Sequence, residues 1–237
     1  MRKQVPAILT IGHSNHPIGR FIALLVDAGV TAVADVRSAP VSRFSPQFNK
    51  KALSVSLGEH GIAYAFLGVE LGGRPQQPEM FTGGVADYEK MAATESFRVG
   101  LHRLIDGARR YRTAAMCSEA DPLDCHRCLL VARAMTERGL GVAHILASGD
   151  TVTHAEIEAR LLDLAHLSEA GLLLGSRDER LAEAYRARGR KIAYTPKAQR
   201  TEGRSSTPGL IRGALGSAGR AENPSKPKPV PGSPSPA

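Results

Sequence analysis

Short apolar runs alternate with longer segments of helical spacing along the first two-thirds of the chain. Five runs have the length of buried strands, at residues 5–11, 30–36, 62–67, 113–117 and 142–146. Apolar residues recur at helical spacing over residues 17–28, 49–60, 87–110 (with a break near Thr94), 125–138 and 153–166. This alternation predicts an α/β fold with an open, mainly parallel five-stranded sheet and helices on both faces.

The pattern divides the chain into three parts. Residues 1–166 are predicted to form the α/β domain, in which residues 68–86 form a long irregular loop of the kind that is usually functional or mobile. Ser176 and Glu179 form a capping box for a charged helix, so residues 167–194 are predicted to be a helical extension. Residues 195–237 are rich in Pro, Gly, Ser and basic residues and offer little apolar surface to bury. We therefore predict a disordered tail.

The net charge of +8 lies mainly in this tail. The tail contributes +5, because two glutamates oppose seven basic residues: Lys197, Arg200, Arg204, Arg212, Arg220, Lys226 and Lys228. Such a tail can contact nucleic-acid phosphates without sequence preference. No apolar run approaches the ~20 residues of a membrane span, and three clustered cysteines do not resemble a secreted disulfide framework. We therefore expect a cytoplasmic protein with no membrane partner.

Polar and reactive side chains follow three of the predicted strands. Ligands of parallel sheets bind in the crevice outside the carboxyl ends of the strands. The residues that this rule brings together are His13 and Ser14 after the first strand, Asp35 and Arg37 after the second, Cys117 and Glu119 after the fourth, and Cys125, His126 and Arg127 at the start of the next helix. We therefore expect a site at this edge of the sheet.

These residue types suit chemistry on a small anionic ligand. Asp124 is a predicted helix N-cap, which places Cys125 in the first turn, where the helix dipole lowers the pKa of a thiol. We predict that Glu119, Cys125 and His13 are catalytic, with Glu119 or His13 moving a proton. Two arginines can hold a carboxylate or phosphate in a bidentate fork. The predicted substrate-binding residues are Ser14, Asp35, Arg37, His126 and Arg127.

Several of these residues also have a structural interpretation. Cys117 at a strand end can simply pack, and Ser14 can cap the first helix. Asp35 and Arg37 can form a structural ion pair. The side chains that can either line a pocket or pack are Tyr64 and Tyr88, and His144 is interpreted as a hydrogen-bonded core histidine because it lies within a predicted strand.

The three cysteines suggest two further kinds of site. Cys125 and Cys128 form a C-x-x-C sequence that resembles the thioredoxin redox arrangement. Cys117, Cys125, Cys128 and His126 have the chemistry of zinc ligands. On a helix, however, His126 lies about 100° around the axis from Cys125, so all four do not easily converge. We predict no metal site. The sequence has no dinucleotide-binding or P-loop motif, and it leaves the cofactor and the oligomeric state unidentified.

Six short motifs lie within residues 6–155. They are T-I-G-H-S at residues 10–14, D-V-R at 35–37 followed by Pro40, G-I-x-Y at 61–64, L-G-G at 71–73, Y-x-x-M at 88–91, and C-x-E followed by C-H-R between residues 117 and 127. Together these motifs resemble the domain of unknown function 488 (DUF488) family of bacteria and archaea. The resemblance implies a Rossmann-like α/β domain and no established reaction. It carries the family pattern onto His13, Ser14, Asp35, Arg37, Cys117, Glu119, Cys125, His126 and Arg127. Cys128 and the tail lie outside that pattern, which weakens the C-x-x-C interpretation.

Together these features favour a cytoplasmic enzyme that acts on a small anionic substrate, either a nucleotide or a nucleic-acid end. One alternative is a non-catalytic nucleic-acid-binding module that uses the basic tail. A second alternative is a thiol redox protein based on Cys125 and Cys128.

Overall fold

The computed structural model of the chain describes residues 8–168 and 175–196. By its internal contacts the chain divides into two units, Met1–Thr201 and Glu202–Ala237, and every described residue belongs to the first. The predicted disordered tail, apart from residues 195 and 196, lies outside the described residues.

A six-stranded mixed sheet forms the centre of this unit. Its strands are β1 (Ile8–Gly12), β2 (Ala32–Asp35), β3 (Ala63–Phe66), β6 (Thr113–Cys117), β7 (Val142–Ile145) and β8 (Thr151–Thr153), and a separate hairpin contains β4 (Phe81–Thr82) and β5 (Val85–Ala86). The first five sheet strands are parallel and coincide with the predicted strands, whereas β8 pairs antiparallel with β7. The α/β fold with a mostly parallel sheet is confirmed, and the predicted five strands are corrected to six. The apolar pattern misses β8 because this strand is short and offers a single apolar side chain.

The strand order β3-β2-β6-β1-β7-β8 sets the geometry of the site. Because β6 lies between β1 and β2, Gly12 pairs with Cys117 and Asp35 pairs with Met116. In a Rossmann fold the first strand lies directly beside the second, so the Rossmann-like description is not confirmed. The carboxyl ends of β1, β2 and β6 nevertheless meet at one edge of the sheet.

Helices cover both faces of the sheet. They are α1 (Ile18–Asp27), α2 (Lys50–Gly58), α3 (Gly68–Leu71), α4 (Tyr88–Ala92), α5 (Glu95–Ala108), a π-helical segment (Arg127–Ala132) that leads into α6 (Arg133–Thr136), α7 (His154–Leu164) and α8 (Arg177–Ile192). Helices α1 and α2 pack against Leu9 and Ile11 on one face. Helices α5 and α6 pack against Ile8 and Ala115 on the other. Across the described ranges, no helix is long and apolar enough to cross a membrane.

Residues 68–86 are more ordered than their glycines and prolines predict. They contain α3, a 3₁₀ turn at Pro78–Met80 and the β4–β5 hairpin, which corrects the predicted irregular loop. Leu71 is fully buried in the core. The Ala86 N–H donates to the Tyr194 carbonyl at 2.9 Å, so the hairpin is tied to the chain that follows α8.

Helix α8 begins at the capping box that the sequence predicts. The Ser176 side chain accepts the Glu179 N–H, and the Glu179 carboxylate accepts the Ser176 N–H. Leu181, Ala184 and Tyr185 of α8 then pack in one apolar cluster with side chains of α7 and the π-helical segment. Helix α8 therefore packs against the domain along its length, and its last residues lie at the domain surface.

A buried chain of hydrogen bonds joins the sheet to α7 and α8. Tyr185 Oη donates to Glu158 at 3.2 Å and accepts from His154 Nε2 at 2.9 Å. His154 Nδ1 accepts from His144 Nε2 at 2.9 Å, and His144 Nδ1 accepts from Thr10 Oγ1 at 2.7 Å. With donation in this direction, every ring nitrogen of the two histidines has a hydrogen-bond partner while both rings stay neutral. His144 is thus a hydrogen-bonded core histidine, as its position in a strand predicts.

The free energy of unfolding is expected to fall as the pH drops from 6.5 toward 4. Burial lowers the pKa of His154 from 6.5 to about 4, so below pH 6.5 the unfolded chain binds a proton that the folded chain does not. The groups that face this ring are His144, Tyr185 and Glu158. The stabilisation that His154 contributes is therefore complete above pH 6.5. Below pH 6.5 it is lost at about 1 kcal/mol per pH unit.

Urea unfolding of the wild type and of His154→Gln, followed from about pH 7 to about pH 4.5, measures this slope. We expect the variant to lose stability less steeply than the wild type. His102→Gln is the control, because His102 is exposed on α5. Equal slopes in all three proteins would contradict the assignment.

Candidate functional site

His13, Asp35 and Arg37 form one buried network at the ends of β1 and β2. The Arg37 guanidinium donates to the two carboxylate oxygens of Asp35 at 2.6 and 2.9 Å and to the Phe48 carbonyl at 2.8 Å. Its Nη1 lies 3.2 Å from His13 Nε2, and Tyr64 Oη donates to Asp35 at 2.8 Å. Asp35 and Arg37 are at most 5% exposed. They form the buried ion pair that was the structural interpretation of this motif.

His13 and Ser14 are occupied with local contacts. His13 Nδ1 lies 2.7 Å from the Ser14 carbonyl, and its ring stacks on Phe48 with centroids 4.2 Å apart. Burial is the main reason that the pKa of His13 is lowered to about 4. The Ser14 N–H donates to the Ser118 carbonyl at 2.8 Å, which extends the pairing of β1 with β6. Ser14 does not cap α1, which follows Pro17 with no side-chain cap.

Cys117, Glu119, Cys125 and His126 meet at the end of β6, and we refer to these four residues as the thiol cluster. Glu119 Oε2 lies 3.0 Å from the Sγ atoms of both cysteines. His126 Nδ1 lies 3.5 Å from Cys117 Sγ and 4.0 Å from Cys125 Sγ. The opposite ring nitrogen, Nε2, donates to the Val36 carbonyl at 2.9 Å. Side chains from two separate segments are thus held around one point.

Neighbouring charges shift the titration of the thiol cluster. Burial opposes ionisation of Cys125, but the hydrogen bond with Cys117 and the positive charge of Arg127 hold the pKa of its thiol well below the usual value. Burial raises the pKa of the Cys117 thiol well above its usual value. Burial, together with the charge of Cys125, raises the pKa of Glu119. Of the two thiols, Cys125 is therefore the one that ionises more easily.

Cys125 precedes the helix and does not lie in its first turn. Its backbone is extended, with φ −139° and ψ 139°, and the π-helical segment begins at Arg127. The predicted N-cap, Asp124, instead pairs with Arg188, and Asp121 accepts the Leu123 N–H at 2.8 Å. The cap prediction is therefore wrong. The groups that lower the pKa of Cys125 are its neighbours Cys117, Arg127 and His126.

Arg127 is fully buried beneath the loop that carries Glu119. Its guanidinium donates to the carbonyls of Glu119 at 2.5 Å and Ala120 at 3.0 Å. Gly12 lies against the same loop, because a β-carbon at this position would lie 1.8 Å from the Glu119 carbonyl oxygen. Arg127 therefore positions Glu119 and does not present its guanidinium to a ligand.

A cavity of about 460 Å³ opens beside the thiol cluster. Cys117, Glu119 and His126 form part of its wall. The other lining residues are Arg37, Ser38, Ala39, Gly73, Arg74, Tyr88, Ser118, Asp124, Lys191, Ile192, Ala193, Tyr194 and Thr195. A β-carbon on Gly73 would lie 2.6 Å from His126 Cγ, so the backbone of the L-G-G motif closes directly on the imidazole.

The cavity separates the predicted site residues into two sets. Those that line it are Arg37, Glu119 and His126. Those predicted to touch a substrate but not among its lining residues are His13, Ser14, Asp35, Cys125 and Arg127. All five come from the predicted edge of the sheet. The side chains of His13, Asp35, Cys125 and Arg127, however, contact other groups of the protein.

Among the lining residues that the sequence did not predict, three carry a cationic or aromatic side chain. Arg74 directly follows the L-G-G motif, so this motif points to its segment. Lys191 and Tyr194 come from the end of α8 and the chain just beyond it. The sequence of a charged surface helix does not indicate which distant strand end the helix will contact. The place of these two residues in the cavity wall is therefore evident only from the packing of α8.

Cys128 is separate from the other two cysteines. It packs with Leu129, Ile157 and Tyr185, whereas Cys117 and Cys125 belong to the core beneath α5. Burial raises the pKa of the Cys128 thiol. The C-x-x-C spacing therefore does not produce a thioredoxin-like pair in this geometry, and the neighbour of Cys125 is Cys117.

A family model described as "Domain of unknown function DUF488" matches residues 17–134. The match confirms the resemblance that the motifs indicate. It includes Asp35, Arg37 and the whole thiol cluster, whereas β1 and His13 precede it. No curated protein and no solved structure matches the chain.

Proposed function

Because this chain belongs to the DUF488 family, whose description names no reaction, we propose its function from the site: it is an enzyme that acts on a small anionic substrate in the cavity beside the thiol cluster. The observation that supports this proposal is the composition of one cavity wall. Cations, aromatic rings and three residues of the thiol cluster, Cys117, Glu119 and His126, line the same space. Its volume of about 460 Å³ falls within the usual range of small-molecule sites.

Two exposed cations give the cavity its preference for an anion. Arg74 and Lys191 line the cavity and are exposed. Arg37 also lines it, but its donors already bind Asp35 and Phe48. Of the two carboxylates in the lining, Asp124 is paired with Arg188, which lowers its repulsion of an anion. Arg74 and Lys191 are therefore the groups that would hold a phosphate or carboxylate.

The aromatic lining favours a nucleotide among small anions. Tyr88 and Tyr194 both line the cavity, and the Arg74 guanidinium lies over the Tyr194 ring, 5.5 Å from its centroid. A nucleobase can stack on either a tyrosine ring or a guanidinium plane. A nucleoside 5′-monophosphate would thus satisfy the rings and the cations together, with its reacting bond beside Cys117 and Glu119. In this arrangement Glu119 is the group placed to exchange a proton with the substrate.

Calorimetric titration of the full chain with inorganic phosphate and with the nucleoside 5′-monophosphates tests the proposal. We expect binding of at least one nucleotide that the double variant Arg74→Ala/Lys191→Ala weakens by roughly tenfold, because two charge-assisted contacts are lost at a partly exposed site. The matched control is Lys51→Ala/Arg110→Ala, which removes the same charge from exposed positions outside the cavity. Absence of nucleotide binding, or equal weakening in the control, would count against the function.

A further inference from the structure

We propose that Cys117, Cys125 and His126 bind a zinc ion at the wall of the cavity. Their ligand atoms lie within 4.8 Å of one another, and all three side chains are buried. Two cysteine sulfurs and one imidazole nitrogen form a ligand set that zinc uses in catalytic sites, where the fourth position stays open. Thiolate ligands also disfavour magnesium and calcium, which prefer oxygen.

The spacing of the ligand atoms fits a tetrahedral ion. With Zn–S and Zn–N bonds of ordinary length, a sulfur and a nitrogen ligand lie about 3.5 Å apart. His126 Nδ1 lies 3.5 Å from Cys117 Sγ and 4.0 Å from Cys125 Sγ. The imidazole can therefore reach this spacing from both sulfurs with a movement of about half an ångström or less.

The imidazole of His126 is oriented as a ligand. Its Nε2 donates to the Val36 carbonyl, which fixes the proton on that nitrogen and leaves the Nδ1 lone pair facing the two sulfurs. Metal-binding histidines usually make such a bond with their other nitrogen. Gly73 approaches the ring so closely that no side chain fits between them. The ring is thus held at Nε2 by the hydrogen bond to Val36 and near Cγ by the contact with Gly73.

The surroundings of Cys125 favour a thiolate ligand. The Arg127 N–H donates to Cys125 Sγ at 3.4 Å, and the Arg127 guanidinium is buried beneath the adjacent loop. When Cys117 and Cys125 bind a divalent ion as thiolates, the protons that they still carry leave to solvent, and the charges of the ion and the two thiolates cancel. The nearby Glu119 carboxylate then lies beside the open position, where a substrate in the cavity would approach.

A second group of potential ligands provides a contrast. Cys128, His144 and His154 also place their ligand atoms within 4.8 Å of one another. Their ring nitrogens, however, are engaged by Thr10, by each other and by Tyr185. A metal there would have to break this chain of hydrogen bonds, whereas the Nδ1 lone pair of His126 already faces the two sulfurs. The zinc proposal therefore applies to the first group and uses Cys128 as a control.

The observed conformation of Cys125 also explains why no metal site was predicted from the sequence. The helical spacing of 100° between Cys125 and His126 assumes that both residues lie on one helix. Cys125 is extended and precedes that helix, so its side chain can turn toward Cys117. The four-ligand set that the sequence analysis rejected also includes Cys128, which packs elsewhere.

Metal analysis of the full chain, expressed with added zinc and desalted, tests the proposal. We expect about one zinc ion per chain. Cys117→Ser and Cys125→Ser should each lose most of it, while Cys128→Ser should retain it. Titration of the metal-free wild type with Co²⁺ should produce thiolate-to-cobalt charge-transfer absorption and release protons to the buffer.

Two results would overturn the site. One is wild-type protein that carries no zinc and shows no thiolate charge-transfer absorption with Co²⁺, a readout that does not depend on whether any variant folds. The other is a folded Cys117→Ser/Cys125→Ser variant that retains the wild-type zinc content. Zinc binding requires no substrate, so loss of nucleotide binding with zinc content intact would remove only the proposed function.

Discussion

Replacement of Gly12 by alanine is expected to lower the free energy of unfolding by about 3 kcal/mol. The added β-carbon would lie 1.8 Å from the Glu119 carbonyl oxygen and 3.0 Å from Arg127 Nη1. A backbone carbonyl cannot rotate away as a side chain can, so β1 and the loop after β6 must separate. That separation breaks the contact that holds Glu119 beside the two cysteines.

Chemical denaturation of Gly12→Ala and of a glycine control measures this effect. Gly19 lies in α1, and a β-carbon there meets nothing within 4 Å. Gly19→Ala should therefore raise stability by about 0.5 kcal/mol, because alanine favours the helix. If both variants had wild-type stability, Gly12 would not be in close contact with the Glu119 loop.

The second large effect is expected for Arg127→Met, which should also lose about 3 kcal/mol of stability. Its guanidinium donates two charge-assisted hydrogen bonds, to the carbonyls of Glu119 and Ala120, and each such bond contributes about 1.5 kcal/mol or more. Methionine fills similar space but leaves both carbonyls without this donor. Arg127→Lys should recover only part of the loss, since one ammonium group does not reproduce the planar fork.

The same variants distinguish a positioning role from ligand binding. Urea unfolding gives the stability change, and Arg110→Met, at an exposed position, should stay within about 0.5 kcal/mol of wild type. If Arg127 bound the substrate, Arg127→Met would weaken nucleotide binding while stability stayed unchanged. The buried contacts of Arg127 predict that stability is lost.

The elements of the fold could be predicted because each one depends on a local pattern. Apolar runs identify the five parallel strands, and Thr94 caps α5 at the predicted break. The position of β6 between β1 and β2 depends on which strands pair, and no local pattern encodes that choice. Strand β8 falls below the length at which alternation is detectable.

The site was predictable at the level of the sheet edge but not of individual contacts. Parallel topology alone brings Asp35, Cys117 and Glu119 to one end of the sheet. Whether a cation at that end faces a ligand or the protein depends on burial, and Arg127 turns inward to two carbonyls. Lys191 enters the site only because α8 packs against the domain.

A crystal structure of the full chain with a bound nucleoside 5′-monophosphate would show whether the cavity beside the thiol cluster is the substrate site. We expect the phosphate to lie within hydrogen-bond distance of Arg74 or Lys191 and the ligand to occupy the cavity beside Cys117 and Glu119. A nucleotide bound elsewhere, with this cavity vacant at a saturating concentration of ligand, would contradict the claim.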